Sequence, residues 1–297
     1  MKYYLGIDGG GTKTVAAVAD EKGNYLFSQV GKTINFYSVG MDAARKNLAA
    51  LIAEIDAVIG TDKFDNVFIG CSALDAQADD DLTGKLCGGI VNAEKIIMHS
   101  DVYIALKSVG DTPCPCVAIC GTGSMAIAED KDGNTHIAGG WGHIAGDEGS
   151  AYSIAVNAFK LCCRQCDRGE NSPLLESARE FFGVDSFRKA IDIIYFQDTT
   201  KDILARFASR VGKLACEGDA DAVEIIINEA KAFAETVKIL PKKTDSSVLG
   251  LYGGVFVNNE LFSNTFVNEM LTEYPGREIK LINTPPEESA LKLAREM

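Results

Sequence analysis

One pattern occurs twice in this chain, and it restricts the fold more than any other feature. Asp8-Gly9-Gly10-Gly11-Thr12 follows the apolar run Tyr3–Ile7, precedes the β-compatible stretch Thr14–Ala19 and leads to the turn Asp20-Glu21-Lys22-Gly23-Asn24. Later, Gly121-Thr122-Gly123-Ser124 follows Cys116–Cys120, precedes Met125–Ala128 and leads to Asp130-Lys131-Asp132-Gly133-Asn134. Strand, glycine loop ending in a hydroxyl residue, strand and acidic Gly-Asn turn therefore appear in the same order both times. We read this as an internal repeat, two related domains facing one another. The length of 297 residues agrees with two domains.

Elsewhere the hydrophobic spacing alternates between strand and helix. It predicts helices over 42–59 and 77–89, short strands at 67–69 and 96–98, and a helix starting at Ser100 or Asp101. The second half reads as mostly helical, over 148–166, 173–181, 187–195, 199–216 and 220–239. An apolar run at 248–252, a helix over 259–272, a strand at 279–282 and a last helix over 287–295, set off by Pro285-Pro286, complete the pattern. The expected fold is α/β.

A glycine loop admits backbone N–H groups close to a ligand that a Cβ would keep away, and successive N–H groups form a concave anion site. Thr12, Thr122 and Ser124 add hydroxyls to the two loops, and Lys13 adds a positive charge. Asp8 ends its strand, where a carboxylate suits hydrated Mg²⁺. Two such hairpins read as a clamp on one polyphosphate. Neither loop has the spacing of a P-loop or of a Rossmann dinucleotide fingerprint. The net charge of −13 argues against nucleic acid as a partner. No run approaches the about 20 apolar residues of a membrane helix, and the first residues turn polar too soon for a signal peptide, so a cytoplasmic protein is expected.

The segments GIDGGGTKT (6–14), AICGTGSMA (118–126) and GLYGGVFVN (250–258) resemble the two phosphate motifs and the adenosine motif of the actin, sugar-kinase and heat-shock chaperone ATPase superfamily. Within it, GGWGHIAGDEGSAY (139–152) resembles the N-acetylglucosamine kinase branch of the BadF/BadG/BcrA/BcrD ATPase family. The resemblance implies two ribonuclease-H-like (actin-like ATPase) domains with an interdomain active-site cleft. The N-terminal domain would comprise residues 1–112 completed by 286–297, and the C-terminal domain 113–285 with a helical insert.

It also implies roles, residue by residue. Asp8 would help hold Mg²⁺, through water. Gly10, Gly11, Thr12 and Lys13 would meet the β- and γ-phosphates of ATP, with Thr122, Gly123 and Ser124 opposite, and Gly253, Gly254 and Val255 would border the adenosine. Asp101 would be the base for the sugar 6-hydroxyl. Asn35, Ser72, Gly140, Trp141 and Asp147 would surround the sugar, Trp141 packing against a pyranose face. The expected activity is phosphorylation of N-acetylglucosamine or a related amino sugar by a homodimer. The turn after Ser72, here Ala73-Leu74-Asp75, departs from the family's glycine-rich form at a point that bears on the 2-substituent.

Three rivals stand beside this. Glucosamine kinase differs by one acetyl group. The nine cysteines, with clusters at 114/116/120 and 162/163/166, keep open an ATP-hydrolysing activator of a 2-hydroxyacyl-CoA dehydratase carrying an iron–sulfur cluster. Free cysteines packed as small hydrophobes account for them more simply. A nucleotide-binding protein without catalysis would have no need of a carboxylate at position 101.

Overall fold

The computed structural model describes residues 1–196 and 200–297. The chain divides into two compact units, residues 1–110 with 283–297 and residues 111–282. Each is built on a five-stranded mixed sheet.

In unit 1 the strands are β1 (Tyr3–Gly9), β2 (Lys13–Asp20), β3 (Tyr25–Lys32), β4 (Lys63–Cys71) and β5 (Asn92–His99). Their order across the sheet is β3-β2-β1-β4-β5. β1 pairs antiparallel with β2, and β2 with β3, whereas β1, β4 and β5 are mutually parallel. Four strands thus end on the same edge. Helices α1 (Phe36–Val39), α2 (Met41–Ile59), α3 (Asp80–Cys87) and α4 (Asp101–Lys107) follow in sequence, and residues Pro286–Glu296 return as α14.

Alternation along the strands gives the sheet two different faces. Leu5, Ile7, Ala16 and Val18 form one core with Leu48, Leu51, Ile52 and Ile55 of α2. The opposite face combines the small residues Gly6, Ala17 and Ala19 with Tyr4 and Phe68, and α14 lies against it through Ala290, Leu291 and Ala294. Gly6 is what permits this approach: a Cβ there would sit 2.1 Å from the backbone nitrogen of Leu291.

In unit 2, β6 (Cys116–Cys120), β7 (Ser124–Glu129), β8 (Thr135–Gly139), β9 (Val248–Tyr252) and β10 (Glu278–Leu281) lie in the order β10-β9-β6-β7-β8. β6 pairs antiparallel with β7, β7 antiparallel with β8, and β9 parallel with both β6 and β10. This is the arrangement of unit 1 repeated. The repeat extends to atoms. Asp20 Oδ1 accepts from the amides of Lys22 and Asn24, and Asp130 Oδ1 accepts from those of Asp132 and Asn134, all at 2.9 Å.

The helices of unit 2 are α5 (Ala151–Asp167), α6 (Pro173–Phe182), α7 (Ala190–Phe196), α8 (Lys201–Ala205), α9 (Phe207–Cys216), α10 (Ala220–Val237), α11 (Ile239–Thr244), α12 (Gly254–Asn258) and α13 (Glu260–Glu273). Phe159, Phe207, Phe233, Phe256, Phe262 and Phe266 fill their core with the alanines of β6–β8. The segment expected as one helix over 187–195 is a 3₁₀ turn, Phe187–Lys189, followed by α7. The helix expected over 199–216 begins outside the described residues. It divides at Arg206, whose N–H bonds the carbonyl of Ile203 three residues back and tightens the turn.

Candidate active site

The C-terminal edge of the unit 1 sheet gathers the residues expected around metal and sugar. Asp8 lies at the end of β1, Thr33 to Asn35 follow β3, Ser72 follows β4, and Asp101 follows β5 by two residues. Hydrogen bonds tie these connections together. Ser72 N donates to the carbonyl of Gly9 at 2.8 Å, and Thr33 Oγ1 donates to the carbonyl of Gly10 at 2.7 Å. Asn35 Nδ2 donates to Ser72 Oγ at 3.0 Å, while Asn35 Oδ1 accepts from the amides of Tyr37 and Ser38 that begin α1. The two polar side chains are thereby fixed side by side.

The turn formed by Gly10, Gly11 and Thr12 joins β1 to β2, and Lys13 opens β2. A Cβ on Gly11 would meet nothing within 4 Å, so the protein's own packing does not require glycine there. Close approach by a ligand would.

Asp101 is the first residue of α4, and Ser100 rather than Asp101 occupies the N-cap. The end of β4 presses on this helix: a Cβ on Gly70 would lie 2.1 Å from Ile104 Cδ1 and 3.3 Å from Asp101 Cα. Burial raises the Asp101 carboxyl pKa, opposed by hydrogen bonding from the amides of Val102 and Asp101 itself. Asp8 is pushed up to about 7, first by burial and then by the charges of Asp101 and Glu287, with Lys13 opposing. Glu287, on the first turn of α14, had no signal in the sequence beyond being acidic. A carboxylate whose ionised form is disfavoured by burial and by two neighbouring acids would gain from a nearby cation. Among the described residues, no group of three or more His, Cys, Asp or Glu could hold a metal ion by itself.

Unit 2 carries the second loop. The amides of Ala151 and Tyr152, which begin α5, donate to the carbonyls of Gly121 and Thr122 at 2.9 and 3.4 Å. Ser124 Oγ donates to the carbonyl of Glu148 at 2.6 Å, and Ser124 N donates to Asp147 Oδ1 at 3.3 Å. Asp147 is 4% exposed with φ of 65°, a left-handed conformation uncommon outside glycine. Lys201 Nζ, on α8, reaches its Oδ2 at 2.6 Å. The adjacent Gly149 N donates to buried Glu229 Oε2 at 2.7 Å. Sequence reading did not find Lys201 or Glu229, since both come from helices remote in the chain. Asp147, expected at the sugar, is engaged here with the backbone of the second glycine loop and with Lys201. Gly140 follows β8, and Trp141 is 79% exposed rather than packed in a core.

A cavity of ≈ 590 Å³ opens in unit 2. Gly121 and Thr122 of the loop line one side, Gly254, Val255 and Asn258 of α12 another, and Asp202 and Ala205 of α8 with Ser209 and Gly212 of α9 close it. Gly253 directly precedes it. The cavity joins the second phosphate motif to the adenosine motif, and the α8–α9 wall was not anticipated. Of the nine free cysteines, Cys71, Cys87, Cys116, Cys120 and Cys162 are buried. Burial pushes the Cys71 thiol up to about 11 and Cys87, Cys116 and Cys162 to about 12.

The duplicated sheet, each copy with a glycine hairpin after its first strand, defines a protein of the two-domain, actin-like ATPase fold. The chain belongs to the BadF/BadG/BcrA/BcrD ATPase family, whose model matches residues 5–291. An N-acetylmuramic acid/N-acetylglucosamine kinase of Clostridium acetobutylicum is 29% identical over 95% of this chain and 94% of its own. An N-acetyl-D-glucosamine kinase of Dictyostelium discoideum is 26% identical over 98% of this chain and 97% of its own. In structure, the chain superposes on a candidate N-acetylglucosamine kinase from Chromobacterium violaceum with a TM-score of 0.76 at 20% identity, covering 99% of both chains.

Proposed function

We propose that this protein is an ATP-dependent kinase that phosphorylates the 6-hydroxyl of N-acetylglucosamine or a related amino sugar. The observation that carries the reading is the edge of the unit 1 sheet. There a half-buried carboxylate, Asp101, shares one rim with the paired Asn35 and Ser72 and with the open turn at Gly10–Thr12. The relatives named as amino-sugar kinases, which match along nearly the whole chain, support it.

In this reading unit 2 holds the nucleotide, with adenosine in the cavity beside α12 and phosphates against Thr122, Gly123 and Ser124. Gly10, Gly11, Thr12 and Lys13 meet the phosphates from unit 1. Asn35 and Ser72 orient sugar hydroxyls by hydrogen bonds, and an analogue lacking a hydroxyl leaves them unpaired. Asp101 accepts the proton of the 6-hydroxyl as that oxygen attacks the γ-phosphorus and the bond to the β–γ bridging oxygen breaks. Asp8 would help hold Mg²⁺ through water, and the ion would supply neutralisation of charge on the transferring group. A cytoplasmic homodimer belongs to the same reading.

The test is ATP consumption by purified protein with Mg²⁺, run with N-acetylglucosamine, N-acetylmuramic acid, glucosamine, glucose and no sugar. Turnover dependent on one amino sugar is expected, falling about 10²- to 10⁴-fold in Asp101→Asn. Sugar-independent hydrolysis that survives Asp101→Asn would overturn the kinase reading and direct attention to iron content.

A further inference from the structure

We propose that His99 is a positioning residue for Asp101: its Nδ1 pins the backbone at Ser100, so that the next residue enters α4 with its carboxylate in one orientation. This rests on the kinase reading above. Nδ1 lies 2.8 Å from Ser100 N and 3.2 Å from Ser100 Oγ. An amide N–H can only donate, so Nδ1 carries the lone pair and Nε2 the proton. The Ser100 hydroxyl donates into the same lone pair.

The helix start registers the consequence. Ser100 holds the N-cap and is 2% exposed, yet its side chain makes no hydrogen bond to α4. A serine there ordinarily accepts from an amide of the first turn. With that hydroxyl turned to His99, α4 begins without a side-chain cap from Ser100. The imidazole is itself immobilised. It stacks on Tyr103 with ring centroids 3.9 Å apart and planes at 18°, and Lys107 Nζ lies 5.1 Å above the Tyr103 ring. Burial and the Lys107 charge push the imidazole down to about 4, so its lone pair persists through the neutral range.

The ring does two things that substitution separates. His99→Phe keeps an aromatic to stack on Tyr103 and removes the acceptor. His99→Asn keeps an acceptor atom at the place of Nδ1 and removes the ring. The experiment measures kcat, KM for sugar and ATP, and Tm for both variants and the unaltered protein. In His99→Phe, kcat is expected to fall roughly tenfold to a hundredfold with both KM values within about threefold, while Tm holds. In His99→Asn, Tm falls and most of the turnover returns. The crossover is the signature, because a packing role would make turnover follow Tm. Turnover that tracks Tm in both variants overturns the proposal and leaves the kinase reading intact. If the unaltered protein turns over no sugar, the kinase reading fails and this proposal fails with it.

Discussion

Asp8 sits where a carboxylate is held at a cost. Burial, Asp101 and Glu287 together push it up to about 7 from 3.8, so near neutrality the folded chain binds a proton that the unfolded chain has released. A raised carboxyl pKa contributes stability that is complete below about 3.8 and is lost as pH rises through about 7. The neutral variant Asp8→Asn has no such slope. Without nucleotide or divalent cation, Asp8→Asn is expected to raise Tm relative to the unaltered protein more at pH 8 than at pH 5. Thermal melts at the two values decide it, and an equal difference at both would contradict the burial argument. Asp101 shifts in the same direction, so its charge adds to the effect at Asp8 rather than masking it.

At the scale of elements, the second glycine loop is held by a short helix that reaches it from far along the chain. α8 delivers Lys201 to Asp147, and the Asp147 side chain is 5% exposed against 29% for Lys201. Lys201→Met leaves a buried carboxylate without its cation and is expected to cost roughly 1–3 kcal/mol, less than a fully buried pair because the lysine meets solvent. Adding Asp147→Asn should recover part of this, since asparagine tolerates the left-handed backbone. Chemical denaturation of both variants measures it, and strictly additive losses would show the pair to be unimportant.

This contact also marks what the sequence could and could not reveal. The two hairpins were legible because their signals are local: glycine loops between apolar runs, and Asp-to-Asn turns that close on themselves within five residues. The sheets followed from that repetition. Lys201, Glu229 and Glu287 were not legible, because each joins the site through tertiary packing and leaves no mark on its own neighbours. The short helix α12 was missed for a related reason. Its Val255 and Phe256 are buried and too few to show a period. Asn35 and Ser72 lie 37 positions apart, and only the family resemblance grouped them before the sheet order did.

Across the whole molecule, the same strand order serves twice, but the two units close differently. Unit 2 is continuous in sequence, whereas unit 1 needs residues 283–297 laid on β1 and β2. Deleting 286–297 is expected to let limited proteolysis cut within unit 1 while 111–282 persists. Equal resistance of both halves would show the helix to be dispensable. The Gly6 contact with Leu291 carries a further consequence for biosynthesis. On the ribosome, β1 emerges before unit 2, and its cover emerges only after the whole of unit 2 has been made. Throughout that wait the uncovered face presents the small Gly6, Ala17 and Ala19 beside the aromatic Tyr4 and Phe68, an apolar surface open to a neighbouring nascent chain.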